Sequence, residues 1–255
     1  MITYDVDGQA ATITIDDPER RNPITNEAAR DLERCIRRSA TDDDVSVVVV
    51  TGAGEKAFSA GGDLSSGFVD DPLGDHDERS ALADVFRAIQ QNPKPVVARV
   101  NGIALGGGFG VAVACDITVA SEDAKLGTPE IDLGLWPMLI SAVLVRAMPR
   151  KALLDMMLTG RIVGASEALD LGLVTRVVPR HDLDQSVTSI VTELQNQSPA
   201  ALAFGKQAFY AMADMDMNTA LDHLHNGLTA VAMTEDAREG VSAFLNRRAA
   251  DWSGK

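Results

Sequence analysis

An α/β fold is predicted from three observations. Apolar, β-branched runs near residues 47 and 97 have the continuous hydrophobicity of strands covered on both faces. Each is followed by a glycine-containing turn, with helix-spaced residues between the two, which is the rhythm of a βαβ unit in a parallel sheet. From Asp182 onward the pattern is helical to the end, so a sheet-bearing part over residues 1–180 gives way, beside Pro179, to a helical region over residues 181–255.

Residues 2–6 and 11–15 alternate around the turn pair Asp7-Gly8, which predicts an opening β-hairpin. Residues 16–23 are charged and turn-rich, and Thr25 or Asn26 can cap a helix to about Ser39 with Ala29, Leu32, Cys35 and Ile36 on one face. Residues 45–51, four of them consecutive valines, form a buried strand that Gly52-Ala53-Gly54 ends. Residues 65–79 are polar, acidic and rich in Gly and Pro, as in a mobile loop able to cover a site. Residues 80–91 have helical spacing, and Asn92-Pro93-Lys94-Pro95 stops them before a strand over 96–100. Residues 101–110, Asn-Gly-Ile-Ala-Leu-Gly-Gly-Gly-Phe-Gly, follow as a tight turn opening an apolar helix. Strands are expected over 117–120 and 173–178, an extended piece over 124–127, a turn at Thr128-Pro129-Glu130, and helices over 139–148, 150–158 and 166–170. Gly240 is the expected break among the tail helices.

A formal charge of -14 argues against a general affinity for nucleic acid or an anionic membrane. An anionic ligand would have to meet a local basic group, and Arg20-Arg21, Arg247-Arg248, Lys56 and Lys125 are available. Cys35 and Cys115, far apart in apolar-periodic stretches, predict free thiols and a reducing, cytoplasmic setting. No apolar run approaches the ~20 residues of a membrane span.

Three glycines at a helix entrance sacrifice about 0.5–1 kcal/mol each relative to alanine in ordinary backbone, so something requires bare main chain there. Either a ligand oxygen approaches N–H groups at the positive end of the helix dipole, or the helix packs closely on a strand. Gly61-Gly62 forms a second such turn beyond a neighbouring buried strand. If the two strands pair, two N–H donors converge on one carbonyl oxygen; otherwise the turns are unrelated. Glu130 precedes apolar Ile131, Leu133, Leu135 and Trp136, where desolvation would raise its pKa into a range useful for proton transfer. A surface or capping charge is the alternative. Asp132 would share its face in an extended segment, so spacing does not choose between them. Trp136 and Met138 are either core or substrate wall. His76, His181, His223 and His225 show no metal-ligand spacing, and no metal site is expected.

With these residues in view, the chain resembles the enoyl-CoA hydratase/isomerase (crotonase) family. The likeness runs nearly end to end, through Lys56-Ala57-Phe58-Ser59-Ala60-Gly61-Gly62-Asp63-Leu64, Asn101-Gly102-Ile103-Ala104-Leu105-Gly106-Gly107-Gly108, Ala114-Cys115-Asp116-Ile117, Pro129-Glu130, Leu158-Thr159-Gly160 and Arg238-Glu239-Gly240-Val241. It implies a crotonase-like spiral of ββα units over residues 1–180, and a helical C-terminal trimerisation region over 181–255 that also contacts CoA. It further implies acyl-CoA substrates, in which coenzyme A is part of the substrate and no separate cofactor is needed, and a homotrimer or homohexamer. By the same resemblance the oxyanion donors fall to Gly62 and Gly107 and the acid/base to Glu130. CoA contacts fall to Arg20, Arg21, Asn22, Ala60, Gly61 and Asp63, with Arg247 reaching a phosphate from a neighbouring subunit. One departure stands out: family hydratases place a first glutamate where this chain has Gly110. The expected function is therefore an enoyl-CoA hydratase/isomerase, the alternatives being a Δ3,Δ2-enoyl-CoA isomerase with one acid/base or a non-catalytic acyl-CoA-binding homologue.

Overall fold

The first fifteen residues close as an antiparallel hairpin, β1 (Ile2–Asp7) against β2 (Ala10–Ile15), turning through Gly8 at φ +56°. Ala11, Ile13 and Ile15 of β2 alternate inward, where they join Ala29, Leu32 and Ile36 of α1 (Asn26–Thr41) in one core cluster. Thr25 starts that helix, its hydroxyl accepting the Ala28 N–H at 3.0 Å. β3 (Val47–Gly52) is buried at every position. Val48 and Val50 face the core that α1 covers, while Val47 and Val49 face the opposite layer with Leu183, Val187 and Ile190. The valine run thus has no polar alternation because neither face meets water.

From β3 the chain passes to β4 (Ala57–Ser59) and α2 (Ala81–Gln91), then repeats the step as β5 (Val96–Val100), β6 (Ile103–Leu105) and α3 (Gly107–Ala114). A third pass runs β7 (Ile117–Ser121), β8 (Lys125–Gly127), a 3-10 turn over Pro129–Leu133 and α4 (Met138–Ala147). After α5 (Arg150–Thr159) come β9 (Ile162–Gly164), α6 (Ala165–Asp170) and β10 (Arg176–Val178). The longer strands make a six-stranded sheet in the order β1-β2-β3-β5-β7-β10, and the short ones a four-stranded sheet, β4-β6-β8-β9. All pairings are parallel except β1 with β2 and β8 with β9. Three strands of the large sheet, β3, β5 and β7, each hand the chain to a strand of the small one before a helix returns it. That is the expected ββα spiral.

The computed structural model describes residues 1–63, 70, 73, 74 and 76–255. The expected covering loop over 65–79 lies mostly outside them; its last residues join a 3-10 turn, Glu78–Ser80. Two expectations are corrected. Residues 101–110 are not a single turn, since β6 intervenes; three residues are too few to show a period, and their place is set by pairing with β4 and β8. Gly240 does not break a helix but lies inside α10 (Glu235–Leu245), where a Cβ would come 3.1 Å from the Trp252 ring.

The tail runs α7 (Leu183–Gln195), α8 (Pro199–Met212), α9 (Met217–Ala232) and α10. α7 covers the large sheet. α8 is pinned to the core by Asp116, which accepts from Lys206 Nζ at 2.6 Å and from the Tyr210 hydroxyl at 2.9 Å. The outer helices leave Phe209, Met217, Leu221, Leu228, Met233 and Phe244 exposed. Among the described residues no helix is long and apolar enough to cross a membrane.

Candidate active site

Because β4 and β6 pair in parallel, with Ala57 opposite Ile103 and Ser59 opposite Ala104, the chain leaves both strands side by side. The glycine turns therefore meet. Gly61 is left-handed at φ +96°, and a Cβ there would come 2.8 Å from the Leu105 carbonyl oxygen. Gly106 sits at φ +50°, and a Cβ built on it would lie 3.9 Å from Gly61 Cα. One built on Gly107 would lie 4.0 Å from the Gly62 nitrogen. Gly107 opens α3, so its N–H has no partner within the helix.

The two explanations of the glycine run apply to different residues. Gly108 answers to packing, since a Cβ would come 2.5 Å from Ser59 Cβ. Gly61 and Gly106 answer to backbone conformation. Among the described residues a Cβ at Gly62 would meet nothing within 4 Å, so none of them demands a glycine there. The neighbouring Ser59 is fully buried, and its hydroxyl accepts the Gly61 N–H at 3.1 Å.

Glu130 occupies the 3-10 turn that Pro129 starts, and its Oε1 would be 3.0 Å from a Cβ on Gly106. Its Oε2 is buried and has no hydrogen-bond partner among the described residues. Burial pushes the carboxyl above its ordinary value of 4.5, only partly opposed by its own backbone N–H. Asp132 does not share this face. The segment is a 3-10 turn rather than extended, so residues two apart diverge by about 240°; the Asp132 carboxylate instead faces Gly160, 3.1 Å from where a Cβ would stand.

The space around Gly110 is filled. A Cβ on Gly110 would run into Ile140 Cγ2 and come within 2.9 Å of Phe86 Cζ. Leu82, one turn before Phe86 on α2, approaches Gly107 in the same way at 3.2 Å. These three apolar residues border the glycine helix, and sequence reasoning missed them. Their signal was only the helical spacing of α2 and α4.

The remaining candidates are spread more widely. Arg20 and Asp63 form an ion pair at 2.5 Å, with Asp17 3.6 Å from the same guanidinium. The Arg21 carbonyl accepts the Ala60 N–H at 2.9 Å, and Ile24 donates to the Gly61 carbonyl at 2.8 Å, so this loop runs alongside the first glycine turn. Asn22 departs from its expected part: it is fully buried, and its side chain is committed to carbonyls and an amide of the fold. Trp136 packs partly buried against the core, whereas Met138 at the start of α4 is 72% exposed. Arg247 lies just past α10, exposed and left-handed at φ +54°, in the helical region rather than at the glycine turns.

A spiral of ββα units whose small sheet ends in paired glycine turns beside one half-buried carboxylate defines a class of α/β proteins. Residues 6–255 match the enoyl-CoA hydratase/isomerase family, and the chain belongs to it. It is 37% identical over 244 residues to a provisionally named enoyl-CoA hydratase of Thermus thermophilus, covering 94% of this chain and 96% of that one. The short-chain-enoyl-CoA hydratase of Clostridium acetobutylicum is 31% identical, with 97% and 95% covered. The crystal structure of an enoyl-CoA hydratase from Mycobacterium smegmatis superposes with a TM-score of 0.94 at 34% identity, 98% of each chain covered.

Proposed function

We propose that this protein is an enoyl-CoA hydratase/isomerase that binds the thioester oxygen of an acyl-CoA on the N–H groups of Gly62 and Gly107 and moves a proton with Glu130. The observation that carries this reading is the meeting of the Gly61-Gly62 and Gly106-Gly107 turns with Glu130 Oε1 beside Gly106. In hydration Glu130 takes a proton from water as its oxygen adds to C3. The enolate negative charge rests on the two N–H groups, and the proton then goes to C2. Each such donor is worth about 2.7–4 kcal/mol at the transition state. The relatives named as hydratases support the hydratase reading.

The packing around Gly110 favours a second reading within the same site. With Ile140 and Phe86 where another carboxylate would stand, Glu130 alone can take a proton from C2 of a 3-enoyl thioester and return it to C4. Supplying crotonyl-CoA and a 3-enoyl-CoA separately tests both. Turnover of neither refutes the assignment, and binding without turnover identifies an acyl-CoA-binding homologue.

CoA would lie along Arg20, Arg21, Ala60, Gly61 and Asp63, with Arg247 of a neighbouring subunit at a phosphate and Trp136 and Met138 toward the acyl group. Residues 1–180 form the catalytic spiral in this reading. Residues 181–255 serve assembly into a homotrimer or homohexamer, supported by the exposed apolar side chains of α8 to α10. The free thiols of Cys35 and Cys115 favour the cytoplasm.

A further inference from the structure

Two buried asparagines far apart in sequence share one acceptor. Asn22 Nδ2 donates to the Ala57 carbonyl at 2.7 Å and to that of Ala53 at 3.0 Å, while its Oδ1 accepts the Asp17 N–H at 2.9 Å. Asn101 Nδ2 lies 3.1 Å from the same Ala57 oxygen, 3.0 Å from that of Gly52 and 2.7 Å from that of Gly54. Both residues are essentially inaccessible. Their amides are donors to the Gly52, Ala53, Gly54 and Ala57 carbonyls of the 52–57 bend, while those of Glu55 and Lys56 accept from Arg180 and Ile103, and Ala57, the first residue of β4, has both carbonyl lone pairs occupied.

Ala57 begins β4, which leads into Gly61-Gly62, and Asn101 stands two residues before β6, which leads into Gly106-Gly107. The Asn101 amide therefore fixes β4 against its own strand at one end, and the glycine turns emerge at the other. Asn22 ties the third segment. From Arg21 to Ile24 the chain holds Ala60 and Gly61 by backbone hydrogen bonds, while the Asn22 side chain holds Ala57, so both ends of the approach to Gly62 are fastened to one stretch. Asn22 adopts φ +57°, a left-handed conformation that asparagine tolerates better than most residues.

We propose that Asn22 and Asn101 are positioning residues, a pair of amides clamped on the Ala57 carbonyl that sets where the Gly62 N–H points relative to that of Gly107. The proposal rests on the oxyanion reading above. Neither side chain touches substrate; both act through β4. Misplacing a donor by 1 Å can cost roughly 10²-fold in rate, so a bend released at Ala57 is felt at Gly62.

The test uses Asn22→Ala, Asn101→Ala and, as a milder third variant, Asn22→Ser, each in the full-length protein. The probe is an aryl-conjugated enoyl-CoA whose absorption moves to the red when its carbonyl oxygen receives hydrogen bonds. Expected for variants folded at the assay temperature is a smaller red shift on binding and a kcat lowered about 10–100-fold with KM little changed. Asn22→Ser should fall between wild type and Asn22→Ala. Folded variants with a wild-type red shift and kcat would overturn the proposal, as would loss of folding in all three, which makes the amides structural only. Failure of the parent reading looks different. A wild-type protein that shifts the probe yet turns over neither thioester loses the assigned reaction but keeps the clamp, whereas one that binds the probe without a shift loses both.

Discussion

Gly106 and Glu130 compete for one small space: a Cβ on the glycine would sit 3.0 Å from the carboxylate Oε1. Gly106 is also held at φ +50°, ψ -125°, a region reserved for glycine. Gly106→Ala therefore strains the backbone and displaces Glu130 together. Denaturant unfolding should show a loss of about 1–3 kcal/mol, and kcat should fall further than that loss of folded protein explains.

Burial raises the Glu130 carboxyl above its ordinary 4.5, so the folded protein binds this proton more tightly than the unfolded chain. Its favourable contribution is complete below the unfolded value and is lost as pH rises through the folded one. Glu130→Gln, which is never charged, should be as stable as wild type or more so at neutral pH, with the difference closing in acid. Thermal melts across pH check this. In the same variant turnover should vanish, whereas the acidic limb of wild-type kcat/KM should lie above the ordinary value of 4.5.

Restoring a carboxylate at Gly110 should not restore a second acid/base. The new side chain would run into Ile140 and Phe86, and overpacking of this kind costs about 1–3 kcal/mol. Gly110→Glu is expected to lower Tm without raising hydration of crotonyl-CoA. Adding Ile140→Ala should recover part of the Tm by making room.

Lys206 and Asp116 form an ion pair whose side chains are only 9% and 17% exposed. Lys206→Met removes one partner and leaves the other charge largely desolvated, which typically costs about 3–5 kcal/mol. The loss should appear in unfolding free energy. Glu130 is untouched, so the acidic limb of the pH profile should stay in place.

The strands and helices were legible wherever a residue pattern repeats for a full turn or several pleats. Four valines in β3 announced burial on two faces, and Thr25-Asn26 announced a helix start, though not which of the two caps it. β6 was not visible, because Ile103 to Leu105 is too short for any period and takes its place from partners elsewhere. Glu130 stood out through its apolar company, but the choice between it and Asp132 depended on a 3-10 turn that extended spacing could not anticipate. Gly110 was noticed as a departure, yet what fills its surroundings comes from Phe86 and Ile140, 24 and 30 residues away in the chain. The family resemblance made Asn22 a ligand contact; only the packing of Ala53 and Ala57 around it revealed an internal amide.

The two glycine turns meet through main chain, whereas Glu130 and Leu82 reach that meeting point from two other segments. A lineage built on this scaffold can exchange either of those side chains without disturbing the two turns. If those turns hold the thioester oxygen as proposed, new chemistry can be acquired one replacement at a time while the backbone that meets that oxygen is inherited intact.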